Sequence, residues 1–458
     1  MVLAELILAA ALASGRLSIT LMAFLAAGVL ALAFAYPMAT AVLTLVLGAS
    51  VFHEAWFDFS AGPLDANGAE LLLGALFIVA LTRPKHHTWG GLVGAGLAVF
   101  LGLLAVSTAL AVSAGDVDLL GSFAWGRVFL YFTFFYVVVR LFGDRESMRY
   151  LLGWAAALAA LTGVLAFFLS FASGPDSIFQ DPSQQFIRAE EGLGLIQRVR
   201  LPGLSLAYAL FWYAVVRTAR THGTARLLWG AALGGMFVNI VVSFNRNMWV
   251  GLVIGLLVML VLAGPQVRRR LIAAIGVIAF AIVVLGSQFG SDSRISPLVE
   301  RGTSLGDPES LEAESSLQTR EIETDVAWNV ARQNPLIGIG PGVDFGVSFF
   351  EATTGGVWVR VSQLFLHNQY LYLMLIAGLP ALIAFLAYLL TSLWVAWSWR
   401  TRTPESAAWG VGIASIMLSA IVAIYFSAPD MIFGIALLTA AIYAARRDLE
   451  TTGQPFDE

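Results

Sequence analysis

Apolar residues occupy most of the chain in long stretches, and polar residues are gathered into the connections between them. A helix of about 20 apolar residues is long enough to cross a hydrocarbon core of roughly 30 Å. The pattern therefore predicts 12 to 14 membrane-spanning helices, because the first stretch is short and only Gly15-Arg16 separates it from the second. The predicted spans are 2–14, 17–35, 37–55, 67–83, 89–113, 119–141, 148–173, 201–219, 226–244, 247–264, 270–288, 379–398, 407–427 and 429–446.

One long polar segment, from Gly286 to Leu366, interrupts this pattern. A membrane protein that keeps such a segment on one face usually carries its function there, since loops on a rigid scaffold hold most functional residues. The chain is therefore predicted to have three parts. These are an N-terminal transmembrane bundle over 1–288 with an outer loop at 174–200, a large outer segment over 289–366, and C-terminal transmembrane helices over 367–458.

The large outer segment has local signals for helices and for a turn. A capping box at 315–318 predicts a helix over 316–333, which Asn334-Pro335 terminates. The glycine-rich stretch 336–342 is unlike a helix. A further helical piece is predicted over 364–377, with His367 and Asn368 in its first turn.

Basic residues fall in alternate connections, which fixes the orientation of the predicted helices. Connections rich in Arg and Lys face the cytoplasm, so the loop 174–200, the tip at Asn245–Asn247 and the large segment face the opposite side. The basic residues on the predicted cytoplasmic side are Arg83, Lys85, Arg145, Arg149, Arg217, Arg220, Arg226, Arg268, Arg269, Arg270, Arg400, Arg402, Arg446 and Arg447.

Composition excludes several classes of protein. The chain is 59% hydrophobic and 12% charged, with a mean hydropathy of +0.81, so a soluble fold could not bury its apolar surface. It contains no cysteine, which excludes disulfides, thiolate nucleophiles and thiolate metal sites. We expect the partners to be membrane lipids and lipid-linked substrates, with no nucleic acid.

Three motifs on the outer side carry residues suited to chemistry. Arginine has a permanent charge and a planar fork of donors that fits phosphate oxygens, and histidine can accept a proton near neutral pH. The motifs are Ser243-Phe244-Asn245-Arg246-Asn247-Met248-Trp249; Arg320 and Trp328 followed by Asn334-Pro335-Leu336-Ile337-Gly338-Ile339-Gly340-Pro341-Gly342; and His367-Asn368-Gln369-Tyr370-Leu371 followed by Gly378-Leu379-Pro380.

In order, spacing and predicted side, these motifs resemble those of the O-antigen ligase and O-antigen polymerase superfamily of bacterial membrane glycosyltransferases. Two positions depart from the family pattern: Asn247-Met248 replace small residues, and Pro380-Ala381 replace a glycine-bearing pair. The resemblance implies an all-α polytopic protein of the bacterial inner membrane with a class-C-type glycosyltransferase fold. Its large periplasmic segment would fold back over the membrane surface as helices.

The resemblance also implies a reaction, in which a glycan passes from undecaprenyl pyrophosphate to an acceptor hydroxyl at the periplasmic face. We predict that Arg246 and Arg320 stabilise the departing pyrophosphate. We predict that His367 is the general base, so that the anomeric centre is inverted. Each residue also has a structural alternative. Arg246 would extend its side chain to the membrane surface, Arg320 would be a surface charge paired with Glu323, and His367 would serve only as a hydrogen-bonding residue.

Four further residues are predicted to bind the pyrophosphate or the lipid carrier: Arg198, Arg200, Arg127 and Asn368. Arg127 would lie at membrane depth, where a charge needs a cavity or a partner. It is equally suited to an ion pair with Asp118 or with an acceptor on another helix. We expect no cofactor and no metal, although the acidic residues at 307–325 leave a metal site open.

Two other functions fit the sequence less well. A polymerase would join lipid-linked repeat units, whereas a ligase transfers the glycan to a lipid A core or another terminal acceptor; the His-Asn motif favours the ligase. A lipid-linked oligosaccharide transporter would be expected to show internal repeats and charges at the midplane. This chain instead concentrates its charge in one outer segment.

Overall fold

The structure is a computed structural model that describes residues 17–48, 58–61, 64–171, 201, 203–243, 245–273, 315–352, 358–401, 403–423 and 425–452. The predicted span 2–14, most of the span 270–288 and the outer loop with Arg198 and Arg200 lie outside the described residues. The helices are α1 Leu17–Ala35, α2 Pro37–Gly48, α3 Gly68–Thr82, α4 Gly91–Ala114, α5 Leu119–Gly126, α6 Phe134–Leu141, α7 Arg145–Phe171, α8 Leu204–Arg220, α9 Gly223–Val242, α10 Arg246–Leu262, α11 Ser315–Ala331, α12 Gln369–Trp399, α13 Pro404–Ser419 and α14 Pro429–Thr452. The strands are β1 Asp58–Ala61, β2 Leu64–Asn67, β3 Ser348–Ala352 and β4 Trp358–Ser362.

The expectation of a helical, multi-pass membrane protein is confirmed. Among the described residues, six helical stretches are long and apolar enough to cross a membrane, and four shorter apolar helices accompany them. The six are Gly91–Ala114, Leu119–Leu141, Arg145–Phe168, Gly223–Val242, Gln369–Trp399 and Pro429–Thr451. The total of 12 to 14 spans stays a prediction.

Two short β-hairpins are present as well as the helices. β1 pairs with β2, and β3 pairs with β4, in antiparallel register. The second hairpin corrects the expectation that helices are the regular structure of the large outer segment. Its strands, SFFEA and WVRVS, are rich in aromatic and β-branched residues, which favour strands over helices.

Three helix boundaries differ from the prediction. The span 119–141 is divided, because a 3₁₀ helix at Arg127–Thr133 separates α5 from α6. His367 and Asn368 precede α12 and are not in its first turn, since Asn368 is the N-cap. α13 ends at Ser419, well before the predicted end at 427.

The core forms where α12 packs across α4 and the 3₁₀ helix. Aromatic rings meet there edge-on, with Phe100 against Phe129 and Phe132, and Phe132 against Phe385. All four rings are fully buried. Edge-to-face contacts of this kind add about 0.5–1.5 kcal/mol each beyond burial, so α12 is held rigidly in the middle of the bundle.

The basic connections gather at one end of this bundle, as the alternating charge pattern predicts. Lys85 contacts Asp144 at 2.7 Å, and Arg217 and Arg220 approach Glu405 at 3.6 and 3.2 Å. The starts of α8, α10, α12 and α14 lie at the opposite end, where the Asp430 carboxylate accepts from the backbone of Ser205. The candidate site is built at this second end.

Candidate functional site

Helix α11 carries one wall of the site. Its buried face repeats every four residues, through Glu323, Ala327 and Ala331, and packs against α12. Its other face is exposed at Ile322 and Trp328. Small alanines allow the two helices to approach closely, which brings the carboxylate of Glu323 to the segment that precedes α12.

His367 and Glu323 form the central contact of the site. Nδ1 of His367 lies 2.8 Å from Oε2 of Glu323. The His367 side chain is 30% exposed, whereas the Glu323 side chain is 3% exposed. The imidazole can therefore meet a substrate, and the carboxylate behind it cannot.

The Glu323 carboxylate is held as an anion by several donors. Burial alone would raise the pKa of Glu323, but hydrogen bonds from the His367 ring, the Gln363 side chain and the His367 backbone lower that pKa below its ordinary value. Gln363 is itself buried and fixed, since its backbone N–H donates to Val347. The pair is thus one part of a satisfied polar network.

A glycine-rich turn fixes α11 relative to α12. α12 is kinked at Gly378, which has φ +82°, and Pro380 has no N–H to donate. The carbonyls of Leu375 and Ile376 instead accept from the N–H groups of Ile339 and Gly340, at 2.8 and 3.0 Å. The turn that follows α11 therefore replaces the hydrogen bonds that the kink removes.

The glycines of this turn and of the kink are required by close backbone approach. A Cβ at Gly338 would lie 2.5 Å from the backbone nitrogen of Ala377, and one at Gly378 would meet the carbonyl oxygen of Leu336. Both residues have positive φ angles, which side chains disfavour. Glycine is therefore required at these two positions both by the close packing of the turn on α12 and by the backbone conformation.

We predict that Gly338→Ala destabilises the protein by at least about 2 kcal/mol, through backbone strain and overpacking. The matched control is Gly346→Ala. Gly346 also has a positive φ angle, +91°, but nothing lies within 4 Å of its added Cβ. Thermal unfolding of the detergent-solubilised variants should show a much larger loss of Tm for Gly338→Ala. Equal losses would mean that the close approach to α12 does not matter.

Arg320 lies one helical turn before Glu323 on α11, so their side chains leave the same side of the helix. Among the described residues the two do not form an ion pair, so the alternative in which Glu323 neutralises Arg320 is wrong. Arg320 is half-buried, and no described residue accepts from its buried Nε. A buried donor without an acceptor is costly, and an anion beside it would satisfy it.

Arg246 begins α10 at the same end of the bundle. The end of α13 connects it with the start of α12. The Ser419 hydroxyl donates to the carbonyl of Asn247 at 3.2 Å, and the N–H of Gln369 donates to the carbonyl of Ala420 at 3.0 Å. Asn247, which follows Arg246, and Gln369, two residues after His367, are therefore both held by this short segment.

The other two described candidates have clear structural partners. Arg127 pairs with Glu70 of α3, with Nε 3.4 Å from Oε1; of the alternatives, the acceptor on another helix is the one observed. Asn368 caps α12, and its side-chain oxygen accepts from the N–H of Leu371. Both assignments account for these residues without a substrate, and their roles in binding stay predictions.

Sequence reasoning missed Glu323 as a site residue and considered it only as a partner for Arg320. The available signal was its position on the alanine face of α11, since a carboxylate among buried positions needs donors.

For metals, no group of three or more suitable ligands occurs in the described part of the chain.

A comparison with protein families finds that residues 231–386 match the family model described as O-antigen ligase (Wzy_C). The matched residues extend from α9 into α12 and include Arg246, Arg320, Glu323 and His367. The family resemblance drawn from the three motifs is confirmed, and the family is one of enzymes. A comparison with curated proteins finds no match.

Proposed function

We propose that this protein is an O-antigen ligase of the bacterial inner membrane, which transfers a glycan from undecaprenyl pyrophosphate to an acceptor hydroxyl. The observation that carries the proposal is the partly exposed imidazole of His367, which is hydrogen-bonded to the buried carboxylate of Glu323. Arg320 lies one helical turn before Glu323, and no described residue accepts from its buried Nε. The residues that match the O-antigen ligase family include all three.

Each residue has one task in this reaction. His367 accepts the proton of the acceptor hydroxyl while the hydroxyl oxygen forms a bond to the anomeric carbon. The bond between that carbon and the pyrophosphate oxygen breaks, and Arg320 and Arg246 stabilise the charge that develops on the leaving group. The products are the glycosylated acceptor, with inverted configuration, and undecaprenyl pyrophosphate. Arg198 and Arg200 would extend the phosphate site.

The distribution of charge supports a periplasmic site. The end of the bundle that contains Lys85, Arg217 and Arg220 is the cytoplasmic end by the positive-inside rule. The site lies at the other end, so the lipid-linked donor would enter from the periplasmic leaflet. We also propose that 289–366 covers this face, within a class-C-type fold.

The proposal is tested by giving the purified protein, in lipid nanodiscs, an undecaprenyl-pyrophosphate-linked glycan and two acceptors. These are lipid A core and a second lipid-linked repeat unit. We expect glycosylated lipid A core and an equal amount of released undecaprenyl pyrophosphate. Elongation of the lipid-linked unit would identify a polymerase instead. If neither acceptor is glycosylated, the proposed activity is wrong.

A further inference from the structure

The contact between His367 and Glu323 involves one particular ring nitrogen, and the choice of nitrogen matters for catalysis. The carboxylate faces Nδ1, and in the described part of the chain no residue is hydrogen-bonded to Nε2. A neutral imidazole carries one proton, on one of its two nitrogens. An anionic acceptor at Nδ1 attracts that proton, and Nε2 is then left with its lone pair.

Accordingly, and building on the proposed transfer reaction, we propose that Glu323 is a positioning residue. It holds the proton of His367 on Nδ1, so that Nε2 accepts the proton of the acceptor hydroxyl. It also stabilises the imidazolium that forms when Nε2 takes this proton. Glu323 does not touch the substrate and gains no proton in the cycle.

The surroundings of Glu323 suit this role better than a purely structural one. Its carboxylate lies 2.8 Å from Nδ1 of the His367 ring and belongs to a helix that packs against α12, so a fixed group orients the ring. The side chain is 3% exposed, and water cannot compete for the contact. The glycine-rich turn after α11 fixes the helix that carries the carboxylate.

The other charged groups that the structure describes at this end of the bundle are not altered by the test. Arg320 on α11 and Arg246 on α10 are cations. Asp430 on α14 is bonded to the N–H groups of Gly203 and Ser205. Asp325 on α11 is exposed. All of them are retained when Glu323 alone is changed, so a change in kcat reports on Glu323.

The test is the measurement of kcat and KM for undecaprenyl pyrophosphate release by Glu323→Gln. The glutamine amide can donate to Nδ1 and so move the imidazole proton to Nε2. We expect kcat to fall at least about 100-fold with KM little changed. Since the anion no longer stabilises the imidazolium that forms during proton transfer, the loss should appear in kcat and not in KM.

The matched control is Glu321→Gln, the same substitution at an exposed position of the same helix, which should leave kcat and KM unchanged. An unchanged kcat in Glu323→Gln, when the wild-type protein does transfer glycan, would overturn the positioning role alone. A wild-type protein without transfer would instead count against the proposed function.

A second measurement does not depend on a variant that must fold around an altered Glu323. In the wild-type protein labelled with ¹⁵N-histidine, the neutral form of His367 should show protonated Nδ1 and unprotonated Nε2, with the signal assigned by its loss in His367→Gln. The opposite tautomer would overturn the proposal.

Discussion

Arg320→Lys is expected to lower kcat for undecaprenyl pyrophosphate release by more than about tenfold, and Arg320→Ala by about 10²–10³-fold. The pyrophosphate gains charge as its bond to the sugar breaks, so the stabilisation is larger in the transition state than in the bound substrate. The loss should therefore appear in kcat more than in KM. Lysine keeps the positive charge but lacks the planar pair of donors.

The matched control for this prediction is Arg332→Lys. Arg332 follows the last residue of α11 and is exposed, and the same loss of the guanidinium there should leave kcat within about twofold of wild type, as expected for a surface change far from the site. If Arg320→Lys turns over as fast as wild type, then a simple positive charge suffices and the bidentate contact is not used.

Most of the helical framework could be predicted from the sequence because a lipid bilayer restricts the possibilities. Within the hydrocarbon region every backbone group must be satisfied internally, so a long apolar stretch forms a helix. The predictions 17–35 and 67–83 agree closely with α1 and α3. The sequence predicts two helical pieces, 364–377 and 379–398, on either side of Gly378, whereas the structure has one helix, α12, that is kinked at this residue.

The parts outside the membrane were harder to predict. β3 and β4 are short, and each depends on its pairing with the other strand. The glycine-rich turn was recognised as non-helical, but its function as a partner for Leu375 and Ile376 is visible only once α12 is kinked beside it. Such contacts join segments that are separated in sequence.

The site residues illustrate the same limit. The motifs identified His367 and Arg320, and the structure adds Glu323, which is hydrogen-bonded to His367. A sequence gives no reason to choose between His367 and Arg320 as the partner of Glu323, since the choice depends on how α11 packs on α12. The partner of Arg127 was likewise open between Asp118 and another helix until Glu70 was seen beside it.

The largest single effect is expected at His367. Its imidazole is partly exposed and is held by a buried carboxylate, and general base catalysis by a positioned side chain typically contributes 10²–10⁴-fold. No other described residue at this end of the bundle offers a neutral base near physiological pH. Loss of the imidazole should therefore nearly abolish transfer, even when the donor still binds.

The most direct test is undecaprenyl pyrophosphate release by His367→Ala, measured beside wild type with saturating donor and acceptor. We expect release to fall by about 10²–10⁴-fold while donor binding is retained. His222→Ala, at an exposed residue that precedes α9, should behave as wild type. Release by His367→Ala at the wild-type rate would contradict the account, because no base would then be needed at this position.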